Sequence, residues 1–249
     1  MKRIRLSQIK NKDETLDTFY NGCILVLQKK KGYRFSLDAP LLADFIQPRK
    51  SDNLLELGTG SGIISLLLSK KNFKKIIAVE IQRSLVELAR RNVKINNQEG
   101  RISIVEDDIC TFQPRKKFDI IYSNPPYIQK NKGHLSVSEE KSIAKHELKC
   151  DIFDIMQKTS ELLKKDGKAC FVFPERRRED LMKAVGTSGL RIKAVRFIYP
   201  HKSSNPNLFL TECNFSSKEK VLLPPLILYD KKGNYTSEVL EIFSGRRHA

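Results

Sequence analysis

The chain has 249 residues, which is enough for one sizeable hydrophobic core and a small additional unit. Its apolar runs fall far short of the ~20 residues that a membrane-spanning helix needs, and its basic N-terminus lacks the apolar stretch of a secretory signal. The five cysteines are odd in number, scattered and without a CxxC pair, which predicts neither a disulfide framework nor a zinc site and favours the reducing cytoplasm.

Positive charge is the unusual feature of the composition. Lysine and arginine number 46 against 29 acidic residues, giving a net charge of +17. Any single basic run is readily explained as a solvated loop or helix end, but the excess as a whole favours a polyphosphate partner such as a nucleic acid. The densest runs are Lys29–Lys31, Lys70–Lys75, Arg115–Lys117 and Arg176–Arg178.

The first fifty residues are predicted to form a small cap made of a hairpin and a helix. Residues 1–21 are mixed and polar, so we expect an irregular or short helical entry. Gly22–Leu27 has the composition of a strand, with Tyr33–Phe35 as its candidate hairpin partner. Asp38 stands where an N-cap is expected, with Pro40 in the first turn of a short helix.

From Asn53 onward, short apolar runs alternate with segments of helical length, which predicts βαβ units and a mostly parallel sheet. The last two strands lie too close for a helical crossover, so we expect an antiparallel hairpin at one edge. The prediction is an α/β domain over residues 51–249, with a seven-stranded sheet and a C-terminal tail. Its strands are predicted near 54–57, 76–79, 102–105, 118–122, 168–173, 191–199 and 207–214.

A glycine-rich loop follows the first predicted strand of this domain. Glycines at such a loop let the backbone turn sharply and let a ligand approach it closely. Glu80 ends the second strand, where a carboxylate can accept both hydroxyls of a ribose, and Asp107 and Asp108 follow the third strand, within reach of an adenine edge. The loop residues predicted to bind a nucleoside cofactor are Glu56, Gly58, Gly60 and Gly62.

Two other nucleotide-binding loops fit this segment poorly. The dinucleotide pattern GxGxxG requires a third glycine where the chain has Ile63. No Walker lysine-serine pair follows either, so a loop that cradles phosphate is weakly supported. A structural glycine turn without a ligand remains an alternative at this point.

A second motif, Asn124-Pro125-Pro126-Tyr127, follows the strand at 118–123, at the edge where open α/β sheets bind ligands. The Asn124 side-chain oxygen and the Pro125 carbonyl can each accept a hydrogen bond from one of the two N–H groups of a planar amino group. These contacts would orient its lone pair and stabilise developing positive charge. Pro126 stiffens the turn, and Tyr127 can stack on a flat target, such as a base flipped out of its helix. A proline turn with an asparagine cap, without catalytic function, is the alternative.

These two motifs resemble those of class I methyltransferases with a Rossmann-like fold. The glycine loop resembles their motif I, and Asn124–Tyr127 resembles the signature of enzymes that methylate exocyclic adenine nitrogens or the amide nitrogen of a protein glutamine. The resemblance implies S-adenosyl-L-methionine as the cofactor, with no metal. Residues 128–147 are expected to form a substrate loop, in which Ala144–Glu147 is similar to a run found downstream of the motif in this family.

The flanking segments favour adenine over glutamine. Gly32–Asp38, Arg196–Pro200 and Leu223–Ile227 resemble the bacterial tRNA adenine-N6 methyltransferases that act on the anticodon-adjacent adenosine of a valine tRNA. That resemblance implies tRNA as the partner. It also makes Asp38 either a ligand of the cofactor's methionine amino group or only a helix cap.

Three alternatives stay open at the sequence level. A protein-glutamine methyltransferase acting on release factors shares the motif, although such enzymes carry a larger helical N-terminal domain. A non-catalytic nucleic-acid-binding module of the same fold is the second. Adenine methylation in DNA is the third, although no separate sequence-recognition domain is evident.

Overall fold

The computed structural model describes residues 10–30, 37–125 and 150–245. Several segments discussed above lie outside these ranges: Tyr33–Phe35 with most of the Gly32–Asp38 run, Pro126 and Tyr127, and the loop at 128–147 with Ala144–Glu147. Within the described ranges, no helix is both long and apolar enough to cross a membrane.

The chain begins with a two-stranded antiparallel hairpin of β1 (Glu14–Phe19) and β2 (Ile24–Lys29). The prediction of irregular structure before residue 22 is therefore wrong for β1, which is the partner of β2. Tyr20 and Asn21 adopt φ values of 51° and 54°, and Gly22 follows at 84°. Asn-Gly is a common turn pair because both residues tolerate positive φ, and it marks this hairpin in the sequence.

The first helix, α1, spans Asp38–Phe45 and so begins one residue earlier than an N-cap at Asp38 would place it. Its N-cap position is Leu37, which makes no side-chain capping hydrogen bond, so the prediction that Asp38 is the N-cap is wrong. Asp38 is instead the first helical residue, where a carboxylate interacts favourably with the helix dipole. Pro40 has no backbone N–H, and residues in the first turn of a helix donate no intrahelical hydrogen bond, so proline is compatible with this earlier start.

A twisted sheet of nine strands forms the centre of the protein, in the order β10-β8-β9-β7-β6-β3-β4-β5, with β11 also paired to β8. Seven strands form its body, as predicted, and two strands of two residues each extend it beyond β8. Strand β9 is antiparallel to both β7 and β8, and the remaining pairs are parallel. The strands are β3 (Asn53–Leu57), β4 (Lys75–Glu80), β5 (Ile102–Glu106), β6 (Phe118–Ser123), β7 (Leu163–Pro174), β8 (Arg191–Tyr199), β9 (Leu208–Asn214), β10 (Val221–Leu222) and β11 (Leu226–Ile227).

Helices cover both faces of the sheet, so successive strand residues enter different cores. After α1, these helices are α2 (Ile63–Leu68), α3 (Arg83–Ile95), α4 (Ile152–Leu162), α5 (Arg178–Thr187) and α6 (Ser237–Ser244). Leu54 and Tyr122 belong to the core beneath α1, α2 and α6, whereas Leu55 and Ile121 belong to the core beneath α4 and α5.

The N-terminal hairpin is attached to α3 by polar contacts. Asn92 exchanges two hydrogen bonds with the backbone of Leu27, at 2.7 and 3.0 Å, and Asn96 does the same with Leu25. Arg91 forms a bidentate ion pair with the fully buried Glu14, with its two terminal guanidinium nitrogens 2.7 and 2.9 Å from the two carboxylate oxygens. The hairpin and the sheet thus share one packed interior, and the predicted boundary at residue 50 stays a prediction.

We expect Glu14→Gln to lower the free energy of unfolding by about 3 kcal/mol at neutral pH, because it leaves Arg91 without its buried partner. Desolvation alone would raise the pKa of Glu14, but hydrogen bonds from Arg91 and the Asn11 amide lower this pKa to about 2. A lowered carboxylate pKa stabilises the fold above the ordinary value near 4.5, and this contribution is lost as the pH falls from there towards 2. Urea unfolding across pH 2–7 should therefore show the difference between variant and wild type shrinking below pH 4.5. Asp13→Asn, at the exposed neighbour, is the control and should change stability little; equal effects would contradict the role of the buried pair.

Candidate active site

The sequence-predicted site residues gather at the carboxyl edge of the sheet, around the point where the strand order reverses. Strands β4 and β5 extend from β3 in one direction and β6 and β7 in the other. A crevice forms at such a reversal, and open α/β sheets bind their ligands there. The loop after β3, Glu80 at the end of β4, Asp107 after β5 and Asn124 after β6 all lie along this edge.

The glycine loop needs its glycines for conformational reasons. Gly58, Gly60 and Gly62 have φ values of 74°, 57° and 83°, all in the left-handed region. A Cβ at Gly62 would lie 3.4 Å from the Ala89 Cβ on α3, an ordinary van der Waals contact, so the backbone angle rather than lack of space requires glycine here. The sequence predicted glycines at a sharp turn, and the structure shows that each of the three occupies a backbone region in which other residues are strained.

Glu80 holds the loop from the neighbouring strand. One carboxylate oxygen accepts the Gly60 amide at 2.9 Å, and the other accepts the Gln82 amide at 2.9 Å. Burial raises the pKa of Glu80, and the backbone amides around it act in the opposite direction. Each carboxylate oxygen can accept more than one hydrogen bond, so the pair keeps capacity for the two hydroxyls of a ribose. The residues present therefore fit a bound nucleoside.

Asp107 and Asp108 lie beside Glu80 at the end of β5. The Asp107 amide donates to the Glu80 carbonyl at 3.1 Å, which places the two predicted ligand segments side by side. The Asp108 carboxylate accepts the Cys110 amide at 2.8 Å and so stabilises the following turn. The Asp107 carboxylate likewise accepts the Asp108 amide at 2.8 Å, so both side chains have a local structural role, and a contact of either with a cofactor stays a prediction.

The Cys110 and Cys150 sulfurs lie in contact in this region, with Cα atoms 6.3 Å apart. The two residues are 40 positions apart and meet only through the fold, and the prediction that the cysteines form no disulfide framework stays a prediction. The Asp108 carboxylate lies within 4.8 Å of both sulfurs. The absence of a metal from the site stays a prediction.

Glu56 is fully buried beneath the loop and organises a cluster of hydroxyl groups. Its carboxylate accepts the Thr59 hydroxyl at 2.7 Å and a short hydrogen bond from Ser65, and Tyr122 lies 3.4 Å away. The Ser65 and Tyr122 hydroxyls are 2.8 Å apart. Burial raises the pKa of Glu56 to about 7, with the hydroxyl donors opposing the shift. Glu56 thus braces the loop from within the core, and its direct contact with a cofactor stays a prediction.

The acceptor motif is connected to the glycine loop through strand β6. Tyr122 and Ser123 immediately precede Asn124, and the Ser123 hydroxyl donates to the Leu57 carbonyl at 2.6 Å. Pro125 is buried and Asn124 is half-buried. The positions of Asn124 and of the glycine loop are therefore coupled by side-chain hydrogen bonds on both sides of β6.

Asp38 lies in the first turn of α1, next to the part of the chain that is not described. Its side chain is buried, and α1 packs on α2, the helix that follows the glycine loop. A contact of Asp38 with the methionine part of a cofactor stays a prediction. Four further residues shape the site and were not predicted from the sequence: Ser65, Asn92, Tyr122 and Ser123. Each is a polar residue within an apolar strand or an amphipathic helix, and that placement is the one sequence signal that could have identified it.

Asn92 illustrates what such a signal means. It is a fully buried amide on α3, and besides its contacts with Leu27 it donates to the Ser61 carbonyl of the glycine loop at 2.9 Å. A buried polar group is costly unless it is hydrogen-bonded, so one within an amphipathic helix indicates a structural contact. Here that contact joins the hairpin, α3 and the loop.

The fold and this arrangement define an α/β methyltransferase, and comparison with known proteins agrees. Residues 34–186 match the model of the methyltransferase small domain family, and the chain belongs to this family. A predicted O-methyltransferase from Agrobacterium tumefaciens has a similar fold, with a TM-score of 0.66 at 18% identity over 84% of this chain and 96% of that one. The predicted Rossmann-like methyltransferase fold is thereby confirmed.

Curated relatives narrow the family further. A tRNA1(Val) (adenine(37)-N6)-methyltransferase from Phocaeicola vulgatus is 29% identical over 82% of this chain and 86% of its own length. A relative of the same name from a Flavobacteriaceae bacterium is 27% identical over 83% and 87%. The resemblance to this group of enzymes that the sequence motifs indicated is confirmed.

We expect Tyr122→Phe to reduce methyl transfer several-fold, because it removes the hydroxyl that links β6 to Ser65 and Glu56. The lost hydrogen bond should also cost about 1 kcal/mol of unfolding free energy. Thr211→Val is the matched control, since Thr211 is another fully buried hydroxyl, which donates to the Ala194 carbonyl on β8, away from the site. Thermal unfolding and steady-state kinetics would be compared for both. A similar loss of activity in Thr211→Val would mean that stability alone explains the effect.

Proposed function

We propose that this protein transfers the methyl group of S-adenosyl-L-methionine to the exocyclic N6 of an adenine in tRNA, the anticodon-adjacent adenosine of a valine tRNA. The observation that carries the proposal is the position of Asn124 and Pro125 at the carboxyl end of β6, one strand from the glycine loop. The names of the curated relatives support the choice of tRNA and of this nitrogen. We also propose that the protein acts in the cytoplasm, where tRNA is found.

The cofactor would lie across the glycine loop. Glu80 would accept its ribose hydroxyls, Asp107 would contact the adenine edge, and Asp38 is the candidate for the methionine amino group. Gly58, Gly60 and Gly62 would allow the ligand to approach the backbone without interference from a Cβ. When bound, the cofactor supplies an activated methyl group on a sulfonium, which is already a good leaving group.

The protein must also position the acceptor nitrogen of the substrate. An adenine amino group is planar and a poor nucleophile, because its lone pair is delocalised into the ring. The Asn124 side-chain oxygen and the Pro125 carbonyl would each accept a hydrogen bond from one N–H of this amino group. These two hydrogen bonds would hold the nitrogen in line with the methyl group. As the nitrogen forms its bond to the methyl carbon, the carbon–sulfur bond would break and a neutral thioether would leave. The same two oxygens would stabilise the positive charge on nitrogen, whose proton would then leave to water. No general base in this chain is required for that step.

One experiment tests the proposed substrate directly. The purified protein would be incubated with radiolabelled S-adenosyl-L-methionine and total RNA from a strain that lacks the gene, followed by nucleoside mass spectrometry. We expect label in tRNA as N6-methyladenosine. A parallel reaction with release factors tests the glutamine alternative, and label only in protein would contradict the RNA proposal. Asn124→Ala protein serves as the negative control.

A further inference from the structure

A group of seven basic residues lies on the edge of the sheet opposite the candidate active site. Strands β3, β4 and β6 are parallel, so all three begin at the same edge. Each is preceded by basic residues: Arg49 and Lys50 before β3, Lys74 and Lys75 at β4, and Arg115–Lys117 before β6. We call these residues the basic edge.

Contacts across the strand starts show that the basic edge is continuous. The Lys74 amide donates to the Asp52 carbonyl at 2.9 Å, joining the start of β4 to that of β3. The Asn53 amide donates to the Asp119 carboxylate at 2.9 Å, and Lys164 forms an ion pair with the same carboxylate at 2.6 Å. With neighbouring strands about 4.8 Å apart, the starts of β7, β6, β3 and β4 span about 14 Å.

The charge of the basic edge is poorly compensated. All its side chains are exposed, and within residues 10–30, 37–125 and 150–245 none of them has an ion-pair partner within 4 Å. Of the nearby carboxylates, Asp52 is buried and accepts the Arg49 amide, and Asp119 is paired with Lys164. At the start of β7, Glu161 and Asp166 are exposed acids, and Glu161 is paired with Lys158. Such a field attracts a dense anion such as an RNA backbone.

The chemistry of the basic edge fits phosphates better than bases. Phe73 and Phe118, the aromatic residues at these strand starts, are buried, so they offer no stacking surface. Lysine and arginine without aromatic partners make phosphate contacts, which position a nucleic acid without reading its sequence.

We infer that the basic edge binds the phosphate backbone of the substrate tRNA at a part of the molecule outside the anticodon arm. The identity of this RNA rests on the proposed function. Six residues of β6, at about 3.3 Å each, separate the basic edge from Asn124 by roughly 20 Å, on the opposite side of the sheet. An anticodon arm that places its adenine at Asn124 occupies the carboxyl edge, so the basic edge is reached by more distant parts of the tRNA.

The test compares two triple variants that lose the same charge. Lys75→Gln/Lys116→Gln/Lys117→Gln changes the basic edge, and Lys12→Gln/Lys183→Gln/Lys232→Gln changes exposed lysines elsewhere. Dissociation constants would be measured over a range of salt concentrations for full-length tRNA and for the isolated anticodon stem-loop.

For full-length tRNA, the basic-edge variant should bind on the order of tenfold more weakly, and its salt dependence should fall by about three phosphate contacts. The stem-loop affinity of this variant, and both affinities of the control variant, should stay near wild type. The inference is wrong if the two triple variants bind full-length tRNA equally well, or if the basic-edge variant loses stem-loop affinity to the same degree. The proposed function fails separately, if wild-type protein places no label in tRNA, because the binding comparison does not depend on methyl transfer.

Discussion

Asn124→Ala should reduce the rate of methyl transfer to tRNA by about 10³-fold, because it removes an oxygen that orients the acceptor nitrogen and stabilises its developing charge. The side chain is half-buried at the end of β6, so the fold itself should tolerate the change. Cofactor affinity, measured by calorimetry, should stay within a few-fold of wild type. The loss should therefore appear in kcat at saturating cofactor.

Asn124→Asp is the informative companion variant. It keeps an oxygen acceptor of the same size at the same position. We expect it to retain more activity than Asn124→Ala. Substantial turnover by Asn124→Ala with unchanged kcat would remove Asn124 from the catalytic role, and a parallel loss of cofactor binding would make it mainly a cofactor ligand.

Glu80→Ala should weaken the binding of S-adenosyl-L-methionine by about 100-fold. In the proposed binding mode the variant would lose two charge-assisted contacts to ribose hydroxyls, each worth about 1.5 kcal/mol or more. It also frees the Gly60 and Gln82 amides that the carboxylate holds, so the loop loses part of its organisation. The measurements are calorimetric titration with the cofactor and the cofactor-dependent rise in melting temperature.

Glu106→Ala provides a matched control, because Glu106 pairs in register with Glu80 on the adjacent strand β5 but is exposed. It should leave cofactor affinity unchanged. An affinity within about threefold of wild type for Glu80→Ala would mean that the ribose contact is misassigned, whereas equal losses in both variants would indicate a general effect of negative charge at this edge.

The elements that sequence reasoning identified best are those with a strong local signal. The alternation of apolar strands and helices from Asn53 onward predicted the parallel sheet, and the closely spaced final strands predicted the antiparallel pair β8 and β9. The loop Gly58–Gly62 was recognisable because few residues other than glycine adopt its backbone angles. These features depend on the chain over short distances.

The N-terminal part was harder to predict, for physical reasons that the structure makes clear. Strand β1 is short and mixed in polarity, and it is a strand because β2 pairs with it and Arg91 on α3 holds its Glu14. The position of Asp38 inside α1, rather than before it, likewise depends on how that helix packs. A local pattern does not contain these partners.

The sequence by itself determined the class of fold, the glycine loop, the carboxylate of Glu80 and the acceptor motif that begins at Asn124, because each is a short run of residues with its own geometric requirement. Only the tertiary structure decided how these runs are connected. Ser65 and Tyr122 are 57 positions apart, yet their hydroxyls lie 2.8 Å apart above the Glu56 carboxylate. The basic residues show the same division. Composition predicted an anionic partner, but the common starting edge of parallel strands brings seven of the 46 basic residues together on one surface. Contacts between distant residues follow from the order and direction of strands, which no single segment encodes.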